Sequence, residues 1–177
     1  MKTLSIKFVT TLLFASVVLG TAYAKTADLT IKQFAEQVNA NLSKAESDYE
    51  MPLELKVTEG EVNNTAQYMF SDTLGVTLVL DKQTNNVKSI MTTVGVSSDG
   101  NETLKDLMYN AAVIAAFDGK NAMKTVGGRY IKITSQAVEE FGQKGSSEKK
   151  FILNGKKYGI NMIKGVGIIG YAEPNTK

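Results

Sequence analysis

Between residues 31 and 42 the apolar side chains Ile31, Phe34, Ala35, Val38 and Leu42 recur every three or four positions. That period gathers them on one face of a helix. Thr30 and Gln33 form a capping-box pair ahead of the run, and Asp28 adds negative charge near the positive end of the helix dipole. The pattern predicts a helix from Thr30 to about Ala45. Past Pro52 the period changes to two. Leu53, Leu55 and Val57 alternate with Glu54, Lys56 and Thr58, as in a half-buried strand. Val62, Ala66, Tyr68 and Phe70 predict a second strand, Val76 to Leu80 a third and Val87 to Val96 a fourth. The turn-rich run from Asp81 to Asn86 separates the last two. Together the four predict an antiparallel meander covered on one face by the first helix.

A second helix is predicted from Glu102 to Phe117, with Leu104, Leu107, Met108, Ala111, Ile114 and Ala115 at helical spacing. It is apolar nearly all round beyond Ala111, which predicts a buried end. Asp118-Gly119 stops it. A short helical turn fits Asn121 to Val126, with Gly127-Gly128 as the break. A third helix fits Ser135 to Gln143, with Val138 and Phe141 facing inward. Phe151 to Leu153, Asn154-Gly155 and Tyr158 to Ile163 form a hairpin pattern, because Asn-Gly suits the two positive φ angles of a type I′ turn. Val166 to Tyr171 is the last strand. The expected fold is α+β: an antiparallel sheet of about seven strands in the order α-β-β-β-β-α-α-β-β-β, packed with two to three helices. This order is readable as two helix-plus-hairpin halves.

The first 24 residues have a different character. Lys2 and Lys7 precede an apolar run from Phe8 to Leu19, and the stretch ends in Ala22-Tyr23-Ala24. A basic start, a short apolar centre and a small-x-small end define a cleavable secretory signal, with cleavage expected between Ala24 and Lys25. The expected product is residues 25–177 as a single domain without a stable membrane anchor. It would be periplasmic in a Gram-negative cell and secreted otherwise. The chain has no cysteine, so an exported domain must hold together by its core alone.

Charge is unevenly distributed. Residues 25–118 carry 7 basic and 14 acidic side chains, whereas residues 119–177 carry 11 basic and 4 acidic. Such asymmetry can mark a binding face. The expectation is nevertheless that the halves pack together and the charges intermix, since sequence halves need not be spatial halves.

With neither histidine nor cysteine, Ser-His-Asp and Cys-His nucleophiles and imidazole or thiolate metal sites are excluded. No cofactor is expected. Gly165-Val166-Gly167-Ile168-Ile169-Gly170 has the spacing of a dinucleotide fingerprint. It lacks the helix and the distal acid that such a site needs, so it is read as a strand with close backbone approach. A cationic cluster remains. Lys149, Lys150, Lys156, Lys157 and Lys164 surround the Asn154-Gly155 turn beside Tyr158, and Arg129, the one arginine, stands next to Tyr130. These are the candidate binding residues, weighed against lysines that merely guard an edge strand. Nucleic acid is not expected as a partner, because arginine is nearly absent. The expectation is an exported, non-enzymatic protein that binds another protein as an inhibitor or immunity-type factor. The alternatives are a carboxylate-dependent envelope hydrolase and a carrier of small apolar ligands.

Overall fold

The computed structural model describes residues 29–97 and 99–175. The signal segment and the Ala24/Lys25 cleavage point lie outside the described residues. Helix α1 spans Ile31–Lys44, and its capping box forms as the sequence predicts. Thr30 Oγ1 accepts from the Gln33 backbone N–H, and Gln33 Oε1 accepts from the Thr30 N–H. Strands follow at Val57–Thr58 (β1), Asn64–Met69 (β2), Leu74–Leu80 (β3) and Val87–Val94 (β4). Helix α2 is Gly100–Ala116. A π-helical turn at Met123–Gly127 leads into α3 at Gly128–Lys144. Strands β5 (Ser146–Leu153), β6 (Lys156–Ile163) and β7 (Gly167–Pro174) complete the α+β fold.

All seven strands join one antiparallel sheet in the order β1-β2-β3-β4-β7-β6-β5. A single row crosses it from edge to edge: Val57, Ala66, Leu78, Ile90, Ala172, Tyr158 and Phe151 are successive partners. Side chains alternate across a strand, so this apolar row and the residues two positions from it along each strand face the helices. Helix α2 lies over β3, β4 and β7, and α3 lies over β5 and β6. Every residue from Ala111 to Phe117 is buried, because α2 is packed between the sheet, α1, α3 and the π-helical turn. The buried face of α1, Phe34, Ala35, Val38 and Leu42, joins the same core as Leu78, Leu80 and Ile90 of the sheet. Among the described residues, no helix is long and apolar enough to cross a membrane.

Three local expectations change. The first strand shrinks to Val57–Thr58. Upstream of it the chain is held by side chains instead of a ladder: Asn39 bonds both the N–H and the C=O of Met51, and Tyr68 Oη donates to the Glu50 carbonyl. The Gly127-Gly128 pair does not break the helix. Both glycines have helical φ angles, and the π-turn passes into α3 without interruption. A Cβ on Gly127 would sit 2.8 Å from Met123 Sδ and 3.7 Å from Ala115 Cβ. The close contact is with the end of the Met123 side chain; Ala115 of α2 lies at ordinary van der Waals distance. Because α3 starts early, its inward face becomes Tyr130, Thr134 and Ala137 with Phe141 packed alongside, and Val138 is left 47% exposed.

Gly165 and Gly167 have positive φ in the β6–β7 turn, and Gly170 lies within β7 with no helix behind it. A Cβ at Gly170 would meet Tyr130 Oη at 2.3 Å and Thr92 Oγ1 at 2.4 Å. The glycine run is thus a turn and a strand in close contact with α3, the structural reading of the motif.

Candidate functional site

The sheet order determines where the charges go. Residues before Gly95 build β1 to β4, and residues after Gly145 build β7, β6 and β5. Each half of the chain therefore makes its own end of the sheet, with β4 and β7 meeting in the middle. Of the six ion pairs among the described residues, five join partners from the same half; Lys156–Asp118 is the exception. Ion pairs thus stay mostly within each half, and the charges intermix less than expected. The sheet end built by β1 to β4 carries more carboxylates than cations, and α1 joins it to the start of the basic half, where Lys44 bonds the Lys120 carbonyl and Asn121. The other end, α3 with β5 to β7, is basic.

At the basic end the hairpin lysines are largely engaged. Lys149 and Lys144 both bond the Glu140 carboxylate, and Ser147 Oγ adds a third donor at 3.0 Å. These donors, Lys144 foremost and then Lys149 and Ser147, hold the Glu140 carboxyl well below its usual range, at about 2. Lys150 pairs with Glu148 at 3.3 Å, and Lys157 pairs with Glu173. The bond to Glu173 raises the Lys157 pKa. Lys157 also lies 5.9 Å from the centre of the Tyr171 ring, which covers Gly159 so closely that a Cβ there would come within 2.2 Å of it. Lys156 turns inward, 2.7 Å from Asp118 Oδ1 and 2.8 Å from the Phe117 carbonyl at the end of α2. Asn154 Nδ2 donates to the other Asp118 oxygen at 2.6 Å. The turn itself has positive φ at Asn154 and Gly155, as the Asn-Gly pair predicts.

Two of the candidate residues belong to the core. Tyr130 and Tyr158 are both fully buried, so neither offers a surface to a partner. Burial raises the pKa of each hydroxyl. Asn110 Nδ2 donates to Tyr130 Oη at 3.3 Å. The Asp118 charge raises Tyr158 further, although that hydroxyl has no partner at hydrogen-bonding geometry. Lys164 stands apart, exposed in the β6–β7 turn.

Arg129 is exposed near the start of α3 and lines a cleft of about 410 Å³ with Lys124, Lys132, Thr125, Gly128, Leu153 and Asn154. The π-turn and the first turns of α3 form one wall, and the β5–β6 turn forms the other. No carboxylate lines it. Neither Lys124, Arg129 nor Lys132 has an ion pair or a side-chain hydrogen bond among the described residues. The candidate site therefore shifts from the hairpin lysines, which apart from Lys164 are paired with carboxylates, to the neighbouring helix wall. Lys124 and Lys132 were not among the residues singled out from the sequence. The available signal was an acid-free stretch, residues 119–138, that carries four cations. No family model matches the chain, and neither the curated proteins nor the solved structures include one significantly similar to it.

Proposed function

We propose that this is an exported, non-enzymatic binding protein whose basic end engages an acidic partner protein, in the manner of an inhibitor or immunity-type factor. The observation that supports this reading is the separation of charge along the sheet. One end is rich in carboxylates, and the other presents cations that no carboxylate offsets. A field divided in this way steers an oppositely charged surface to one end of the molecule and speeds encounter at low ionic strength. The basic start, short apolar run and Ala22-Tyr23-Ala24 end support an encounter outside the cytoplasm.

The test is retention of an envelope protein on the immobilised chain at low salt, with elution as salt rises. Reversing charge at the basic end, with Lys124→Glu and Lys132→Glu together, removes retention. Reversing it at the acidic end, with Glu54→Lys and Glu61→Lys together, leaves it intact. Equal loss in both variants, or no retained protein at all, refutes the reading.

A further inference from the structure

We infer that the cleft between the start of α3 and the β5–β6 turn binds a phosphate monoester, held by Arg129, Lys124 and Lys132. The inference rests on the reading of the basic end as the binding end, and it names the chemical group that end accepts.

Three observations carry it. The cleft gathers three cationic side chains and no acid. Asp118, which bonds the cleft residue Asn154, is only 10% exposed and is also bound to Lys156. Three like charges around one cleft repel one another, and at physiological salt screening acts over roughly 8 Å, too far to remove that repulsion at close range. A dianion offsets more of it than a single carboxylate does. Secondly, the guanidinium of Arg129 supplies a planar fork that matches two oxygens of a phosphoryl group, and the two lysines add mobile point charges. Thirdly, the walls are fixed. Asn154 and Lys156 tie the hairpin turn to Asp118, and the π-turn packs on α2 with Val126 and Gly127 buried. Gly128 lines the cleft with no side chain, so a ligand can approach the helix backbone there. The Gly128 N–H already bonds carbonyls of the π-turn, so recognition falls to the side chains.

Gly128 also supplies a clean control. Its φ of −62° and ψ of −40° suit any residue, and the nearest atom to an added Cβ is 4.0 Å away. Gly128→Leu fills the cleft, keeps every charge and suits the helix better than glycine.

The experiment is an NMR titration of the chain, as purified from its producing cells, with glycerol phosphate, inorganic phosphate, dimethyl phosphate and acetate. Glycerol phosphate is expected to saturate, with shifts confined to residues 124–132 and 153–154. Arg129→Gln is expected to weaken binding about tenfold or more, since it removes a charge-assisted fork. Gly128→Leu is expected to abolish binding with the fold intact. Binding weakens as pH falls through about 6, where a monoester becomes a monoanion. Inorganic phosphate binding as tightly as the ester would assign the site to the free ion and overturn the ester. Acetate or the diester binding equally well, or shifts spread over all lysines, would overturn the site. Failure here with partner retention unchanged removes this inference alone. Loss of retention in the basic-end variant only, with glycerol phosphate failing to bind, leaves the function reading standing without it.

Discussion

Lys156 and Asp118 meet at 2.7 Å across 38 residues of sequence, and the same ammonium caps the last turn of α2 through the Phe117 carbonyl. The pair is mostly shielded, with side-chain exposures of 22% and 10%. A cation at a helix C-terminus is favourable by itself, and here it also anchors the β5–β6 turn. Lys156→Met leaves Asp118 without its counter-charge and is expected to cost about 1–3 kcal/mol. A double-mutant cycle with Asp118→Asn, followed by urea unfolding, measures the coupling. Additive losses would show that the two groups do not act together.

Gly170 on β7 lies beside Thr92, its register partner on β4, and beneath Tyr130 of α3. Gly170→Ala inserts a methyl where two hydroxyls already sit, and the expected destabilisation is about 1–3 kcal/mol. Tyr130→Phe removes one of those hydroxyls, so it recovers part of the loss in the double variant. Thermal melts of the four proteins check this; no recovery would place the clash elsewhere.

The turn at Asn154-Gly155 predicts a third effect. Gly155 has φ +71° and open space around its Cα, so Gly155→Ala suffers backbone strain and no collision. About 1–2 kcal/mol is expected, the ordinary penalty for a left-handed alanine. Gly155→Asn should lose less, because asparagine tolerates that region. Equal losses would point to the side chain instead of the backbone.

Glu140 gives a pH dependence whose sign is fixed. Its carboxyl is held near 2 in the fold against an ordinary 4.5. Between those values the unfolded chain binds the proton more readily, so stability rises with pH across that window and is lost as acid protonates the folded carboxylate. Urea midpoints measured from pH 5 to pH 2 should fall more steeply for the native chain than for Glu140→Gln. Parallel slopes would mean that the Lys144, Lys149 and Ser147 contacts do not bear on stability.

Much of the fold is legible where a local rule decides the outcome. Thr30 and Gln33 announce α1, Asn154-Gly155 announces the tight turn, and the period of two in Val76–Leu80 places β3. The misreadings share a cause. Gly127 looks like a helix breaker, yet it is buried with helical φ and ψ in a π-turn packed on α2, a setting fixed by tertiary structure. Tyr130 looks like a surface aromatic until α3 is found to begin at Gly128, well before the apolar pattern at Val138 and Phe141. The site was legible as a basic half. Which cations remain unpaired was not, because that depends on where Glu140, Glu148 and Glu173 fall in the folded molecule.

The sheet has one seam, the β4–β7 ladder in which Val94 meets Ile168. On either side of it each strand pairs only with its neighbour in sequence. The two flanks can zip locally and early, whereas joining them must close the long stretch of chain between these strands, an entropically costly step. The expected assembly is two meanders that form independently and then dock. Pulse-labelled hydrogen exchange should protect residues 65–78 and 147–160 before Val94 and Ile168; simultaneous protection would rule that order out.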